Sequence, residues 1–277
     1  MNLKRFLVSA FAVASLLTAA AVQVDSTFTI EGSKGALAAR LQLPDLKSGE
    51  KCPMVILCHG FGGNMGGRLF DTIASDWLKD GIGVVRFDFN GHGASEGSFQ
   101  DMTVPNEIED AKKVVSWTDK QPFTASVSLL GHSQGGVVAS MTAGELGAGK
   151  IKAVVLMAPA AVLRDDALRG NTMGAMYDPW NVPEYVQLFG GLKLGRGYIE
   201  TARDLPIYQV ASRYTGPMLV IHGTADRVVP YSYGERYGIE MPDARVELIQ
   251  GDDHGFSKSL VSSSALAAGW LSEHLNK

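Results

Sequence analysis

The chain has 277 residues, 45% of them hydrophobic and 19% charged, with a formal net charge of −4. That length and apolar share suit one large globular domain, and a mildly acidic balance without a basic block argues against nucleic acid as a partner. The 32 glycines are scattered through turns rather than periodic, which excludes collagen-like and low-complexity architectures.

The N-terminus stands apart from the rest. Met1–Arg5 is basic, Phe6–Leu17 is apolar and Thr18–Ala21 ends in small residues. This order has the shape of a secretory signal peptide over about residues 1–22. It leaves 23–277 as the mature domain, secreted or periplasmic, with no membrane association after cleavage. The apolar stretch is short for a membrane span. Cys52 and Cys58 lie at the ends of one apolar run. An extended run of that length holds them about 20 Å apart, outside disulfide reach, and no cysteine spacing suggests a metal site.

In chain order, Ser26–Ile30 and Ala36–Leu43 read as two strands around a Gly32-Ser33-Lys34-Gly35 turn. Pro53–Cys58 is a continuous apolar run, as in a strand covered on both faces. Leu69–Leu78 is helical, with Phe70, Ile73, Ala74 and Trp77 on one face. Ile82–Phe89 is a second buried strand, and Val104–Trp117 a helix with Pro105 at its start and Ile108, Ala111, Val114 and Val115 inward. Val127–Leu130 and Lys152–Met157 are strands flanking a small-residue helix, Gly136–Ala143. Pro217–Ile221 and Arg245–Ile249 are later strands, Ser232–Ile239 a helix and Ser257–Leu275 a closing helix. Alternating strands and helices predict an α/β fold with a mostly parallel central sheet covered on both faces. Ligands gather at the carboxyl ends of such strands. The interval of about 160–212 breaks the alternation and is rich in glycine, proline and aromatics. It reads as a small cap over the site.

The chemistry centres on Gly131-His132-Ser133-Gln134-Gly135, between a strand and a helix. Strand, G-x-S-x-G, helix is the context of a nucleophile elbow. It would place Ser133 at a helix N-terminus, where developing negative charge is favoured. A serine hydroxyl needs a base. Among six histidines, His254, in the loop between the last strand and last helix, is the candidate. Asp226, just past a strand end, would orient it, giving the order Ser133, Asp226, His254. Asp252 and Asp253 adjoin His254 and read instead as turn-forming residues. Two backbone donors would hold the oxyanion: the N–H of Gln134, after the nucleophile, and that of Phe61, in His59-Gly60-Phe61-Gly62-Gly63.

These segments, with Asp88-Phe89-Asn90-Gly91-His92-Gly93, His222-Gly223-Thr224-Ala225-Asp226 and Asp253-His254-Gly255-Phe256, resemble the cinnamoyl/feruloyl esterases of gut bacteria, within the α/β-hydrolase fold. Asp166–Thr172 and Leu205–Tyr208 are similar to that family's cap and its exit. The resemblance implies a cap closing over the aromatic acid of an ester. It implies ring-substituent contacts from Asp166 and Tyr198, with Trp180 as a further lining residue. Met173 stands where some relatives carry glutamine, and a thioether is a weak acceptor. It also implies a serine ester hydrolase that releases hydroxycinnamic acids from cell-wall sugar esters or related esters. No metal or organic cofactor is expected. The partner is a small-molecule or oligosaccharide ester, and a homodimer is left open. A general short-acyl carboxylesterase, a peptidase-like hydrolase and a non-catalytic binding protein of the same fold are the alternatives.

Overall fold

The computed structural model describes residues 24–241 and 243–275. The signal segment expected over 1–22 lies outside the described residues. In chain order the elements are β1 (Val24–Glu31), β2 (Ala36–Leu43), β3 (Cys52–Cys58), α1 (Arg68–Lys79), β4 (Gly83–Phe87), α2 (Val104–Asp119), β5 (Thr124–His132), α3 (Gln134–Leu146) and β6 (Val154–Met157). An inserted region follows, with α4 (Val162–Arg169), β7 (Asn171–Thr172), β8 (Ala175–Met176), β9 (Tyr185–Gln187), β10 (Lys193–Gly195), α5 (Arg196–Arg203) and α6 (Ile207–Ala211). The chain then closes with β11 (Met218–Gly223), α7 (Ser232–Glu240), β12 (Ala244–Ile249) and α8 (Leu260–Leu275).

One eight-stranded sheet has the order β1-β2-β4-β3-β5-β6-β11-β12. β2 runs antiparallel to both of its neighbours, and every pairing from β4 to β12 is parallel. The uninterrupted apolar runs follow from cover on both faces. In β3, Met54, Ile56 and Cys58 point into one core while Val55 and Leu57 point into the other. β6 and β11 divide the same way, Val154, Leu156, Met218 and Val220 against Val155, Met157, Leu219 and Ile221. Cys52 and Cys58 are buried free thiols.

The second core is closed by α1 and α8. Phe70, Ile73, Ala74 and Trp77, the face expected for the first helix, pack with Leu260, Ala267, Trp270 and Leu271. The Trp77 indole N–H donates to the Ser264 carbonyl at 3.3 Å, which satisfies its polar end inside the core. The first core is closed by α2, α3 and the inserted region. The Thr103 hydroxyl caps α2 by accepting from the Asn106 N–H at 3.2 Å, and Pro105 sits in its first turn. α3 is buried from Gln134 to Gly144, which explains why its sequence shows no polar face.

Most elements differ from the sequence reading by a few residues at their ends, and two differences have a physical cause. α8 begins at Leu260 rather than Ser257, because Asp253 accepts from the N–H groups of Gly255 and Ser257, and Asp252 from those of Lys258 and Ser259. These carboxylates organise a turn where the first helical turn was expected. The cap interval is also more regular than its composition suggested. It folds into α4, α5, α6 and two small antiparallel ribbons, β7–β8 and β9–β10.

Candidate active site

Ser133 links β5 to α3 and has φ 58° and ψ −125°, a conformation that a residue with a side chain rarely adopts. Its surroundings enforce it. A Cβ on Gly131 would overlap the Gly135 carbonyl, and one on Gly135 would overlap the carbonyls of Cys58 and His59. Only glycine at both places lets α3 start hard against the sheet. The Ser133 N–H donates to the Met157 carbonyl at 3.0 Å, and its own carbonyl accepts from Gly136 and Ala160 at 2.9 and 3.0 Å. The peptide is held from both sides while the hydroxyl remains free to react.

The loops after β11 and β12 bring the other two residues to the same sheet edge. His254 Nε2 lies 2.9 Å from Ser133 Oγ, and His254 Nδ1 lies 2.7 Å from Asp226 Oδ2. A carboxylate only accepts, so the Nδ1 proton belongs to the imidazole and Nε2 offers its lone pair to the hydroxyl. Asp226 Oδ1 accepts from the N–H groups of Val228 and Val229 at 2.8 and 2.9 Å. Burial pulls the Asp226 pKa upward, but hydrogen bonds from His222 and His254, with the Val229 N–H, outweigh it and hold it below the usual carboxylate range. The acid is therefore ionised at neutral pH.

Three further histidines lie nearby, and His222 bonds the Asp226 carboxylate directly. His222 is fully buried, with Nε2 3.1 Å from Asp226 Oδ2 and 3.0 Å from the Val229 carbonyl. Both neighbours are acceptors, so Nε2 carries the proton and shares it between them. His132 donates from Nε2 to the His254 carbonyl at 2.8 Å. Burial, reinforced by the nearby His254, pushes its pKa down to about 4, so the ring beside His254 stays neutral. His59 donates from Nδ1 to the Gly60 carbonyl at 2.9 Å and accepts the Phe89 N–H at Nε2, 3.1 Å away. Burial pushes its pKa down to about 3. It pins the turn before Phe61 to the end of β4.

Gly60 faces the nucleophile, and a Cβ there would lie 2.9 Å from Ser133 Cβ and 3.3 Å from Oγ. The Phe61 ring packs edge-on against Phe99 and Tyr198, with centroids 5.3 and 5.6 Å apart. Among the described residues, neither the Phe61 nor the Gln134 backbone N–H has a backbone acceptor. Both are free to donate to an incoming oxyanion.

The cap residues are placed less uniformly. Tyr198 is 2% exposed, and its hydroxyl donates to Gln134 Oε1 at 2.7 Å. Asp166 is engaged by Arg169 Nη2 at 2.6 Å. Burial raises its carboxyl pKa, and Arg169 opposes that rise. Trp180 is 75% exposed, with the Arg203 guanidinium over its ring at 4.6 Å, and the structure does not bring it against Ser133 or His254. Among the described residues, no cluster of three or more His, Cys, Asp or Glu side chains could hold a metal ion. No helix there is long and apolar enough to cross a membrane.

Sequence reasoning passed over Glu107 and His222. Glu107 is buried in α2 and accepts from Gln134 Nε2 at 2.8 Å. The signal was present, since Glu107 lies on the stripe defined by Val104, Ile108 and Ala111. For His222 the signal was its spacing of four from Asp226 across a strand end.

A family model described as serine aminopeptidase, S33, matches residues 49–180. A solved structure of Est1E from Butyrivibrio proteoclasticus with ferulic acid bound matches 90% of this chain and 100% of that one, with a TM-score of 0.85 and 29% sequence identity. The mitochondrial palmitoyl-protein thioesterase ABHD10 of Mus musculus is 26% identical over 225 residues, 78% of this chain and 74% of that protein. An uncharacterized 31.7 kDa protein of Escherichia coli is 33% identical over 88 residues, so the match spans 31% of this chain and 30% of that relative's length. With its mostly parallel sheet and the turn at Ser133, the chain has the α/β-hydrolase fold.

Proposed function

We propose that the chain is a serine carboxylic ester hydrolase that releases hydroxycinnamic acids from their esters through an acyl-enzyme. The observation that carries ester hydrolysis is the continuous relay from Ser133 Oγ through the His254 imidazole to the Asp226 carboxylate. His254 Nε2 takes the hydroxyl proton as Oγ attacks the ester carbonyl. The N–H groups of Phe61 and Gln134 receive the oxyanion, and His254 returns the proton to the leaving alcohol. A water molecule then follows the same route to free the acid. Asp226 keeps the imidazole in the working tautomer and balances its charge as it becomes imidazolium.

The acyl group is supported by a different observation. The likeness to Est1E with ferulic acid bound extends over 90% of the chain. In this reading Asp166 is the cap residue that meets the ring substituents, while the Tyr198 hydroxyl is held by Gln134 Oε1 and Trp180 lies exposed. The thioesterase relative supports a second reading, an aliphatic acyl group carried on a thioester or simple ester.

Two measurements test the proposal. The Ser133→Ala protein should fold as the parent does and hydrolyse p-nitrophenyl butyrate no faster than buffer. Retained turnover in that variant removes the esterase reading altogether. Rates on methyl ferulate, methyl p-coumarate and p-nitrophenyl butyrate then separate the acyl groups. Activity confined to the butyrate ester discards hydroxycinnamate and favours the aliphatic alternative.

A further inference from the structure

The side chain of Gln134 is held at both ends by residues that the reaction scheme does not use. Its Oε1 accepts the Tyr198 hydroxyl at 2.7 Å, and its Nε2 donates to Glu107 Oε2 at 2.8 Å. Tyr198 belongs to cap helix α5, and Glu107 to α2, which packs into the first core. Both are buried, at 2% exposure each. The Tyr198 ring also packs edge-on against Phe61 at 5.6 Å. One tyrosine thus touches both residues read as the oxyanion donors.

We propose that Tyr198 and Glu107 are positioning residues that clamp Gln134, and through the Tyr198 ring Phe61, so that the cap holds the oxyanion donors in register. The proposal rests on the reading of Phe61 and Gln134 as those donors. The peptide that carries the Gln134 N–H is held at its Ser133 carbonyl by the N–H groups of Gly136 and Ala160, but those ties do not reach α5 or α2, so a restraint between this residue and those elements must come from its side chain. A side chain anchored to two separate elements supplies the restraint. Glu107 suits the task as a neutral acceptor, since burial raises its pKa well above the ordinary range and only the Gln134 hydrogen bond opposes that rise. A carboxyl left ionised there would be an uncompensated buried charge.

This role separates from substrate binding. A clamp on oxyanion donors matters only once the carbonyl oxygen carries charge, so it appears in kcat rather than KM. Acylation and deacylation both pass through an oxyanion, so kcat falls whichever step limits. Losing one such donor outright costs on the order of 10²–10³ in kcat. Loosening one without removing it should cost about tenfold.

The test uses p-nitrophenyl acetate, whose acetyl group carries no ring substituents for cap residues to bind. Tyr198→Phe and Glu107→Leu should each lower kcat about tenfold with KM within about twofold. The double variant should be no worse than the more damaged single one, because both act through one side chain. Glu107→Gln, which keeps an acceptor of the same shape, should recover most of the activity lost in Glu107→Leu. Unchanged kcat in both single variants overturns the clamp. So does a loss in Glu107→Gln equal to that in Glu107→Leu, since packing alone would then account for it. Additive losses in the double variant overturn the shared route. Ser133→Ala is run beside them, and turnover retained there defeats the esterase reading itself rather than the clamp.

Discussion

Asp226→Asn preserves shape while exchanging one oxygen for a donor, and the structure dictates which oxygen is lost. Oδ1 accepts two backbone N–H groups, from Val228 and Val229 at 2.8 and 2.9 Å. Oδ2 faces two imidazole nitrogens, His254 Nδ1 at 2.7 Å and His222 Nε2 at 3.1 Å. An amide nitrogen in the first place would oppose donors that cannot change. In the second place it opposes His254 Nδ1, whose proton can move to the other ring nitrogen, while His222 Nε2 keeps its proton on the Val229 carbonyl. The amide oxygen therefore keeps the Oδ1 position, and the NH2 group donates to His254 Nδ1. His254 is then driven to the Nε2–H tautomer, with a hydrogen rather than a lone pair aimed at Ser133 Oγ. The base is lost although the side chains stay in place. A tautomer error of this kind lowers kcat by about 10⁴, or about 5.5 kcal/mol of barrier. Folding should suffer less, by about 1–3 kcal/mol for hydrogen bonds made poorly in a buried site. The assay is kcat/KM on p-nitrophenyl butyrate at neutral pH, with the melting temperature recorded on the same preparation. A folded Asp226→Asn protein within tenfold of the parent would refute the argument, because His254 would then need no orienting acid.

Other consequences follow from space and from charge. Gly60→Ala sets a methyl group 2.9 Å from Ser133 Cβ. It should lower kcat/KM by about 10² while leaving the melting temperature nearly unchanged; a stability loss with normal kinetics would count against that placement. Gly135→Ala drives a methyl group into the Cys58 and His59 carbonyls. It should instead destabilise the fold by about 1–3 kcal/mol or more in chemical denaturation, and unchanged stability would show that α3 has room to move. Glu107 and Asp226 should respond to pH in opposite senses. Glu107 has a folded pKa raised above 4.5, so its unfolded state ionises first and stability declines as pH rises from that value toward the folded one. The melting-temperature gain of Glu107→Gln should therefore grow between pH 4 and pH 8, and a constant difference would refute a neutral carboxyl. Asp226 has a folded pKa lowered from 3.8, so its contribution is full above that value and fades as acid protonates the folded state. The acid limb of the stability curve should flatten in Asp226→Asn.

What could be read from sequence divides along a physical line. Strands buried on both faces announce themselves, because Pro53–Cys58 or Lys152–Met157 can be apolar throughout only if both sides are covered. The turn around Ser133 announces itself as well, because backbone crowding there admits only glycine at 131 and 135. Loops at the carboxyl ends of neighbouring parallel strands must converge, so Asp226 and His254 were nameable from their place after β11 and β12. Side-chain partners across distant elements were not nameable. Helical periodicity puts Glu107 on the inward face of α2 but cannot say that it meets Gln134, 27 residues away. Nor can it say that the Tyr198 hydroxyl ends on that same amide, 64 residues away.

The same division separates the two halves of the functional reading. Acyl transfer rests on groups fixed by the sheet, whose geometry the fold determines almost regardless of what covers it. The acyl group rests on a cap that meets the sheet through few polar ties. One is Tyr198 on Gln134, and others are the Tyr233 hydroxyl donating to Asp165 at 2.6 Å and the Tyr208 hydroxyl donating to the Tyr233 carbonyl at 2.8 Å. Each joins the insertion to an element of the hydrolase core through a tyrosine. Tyrosine suits that place, since its ring buries apolar area while its hydroxyl fixes one orientation. Substitutions elsewhere in the cap should therefore change which ester is cleaved, whereas substitutions at Tyr198 should change how fast any ester is cleaved. Comparing a Tyr198→Phe protein with an Asp166→Ala protein on ferulate and acetate esters separates the two effects. Loss on both esters belongs to the first and loss on ferulate alone to the second. Equal losses in both variants on both esters would mean that the cap acts as one undivided unit.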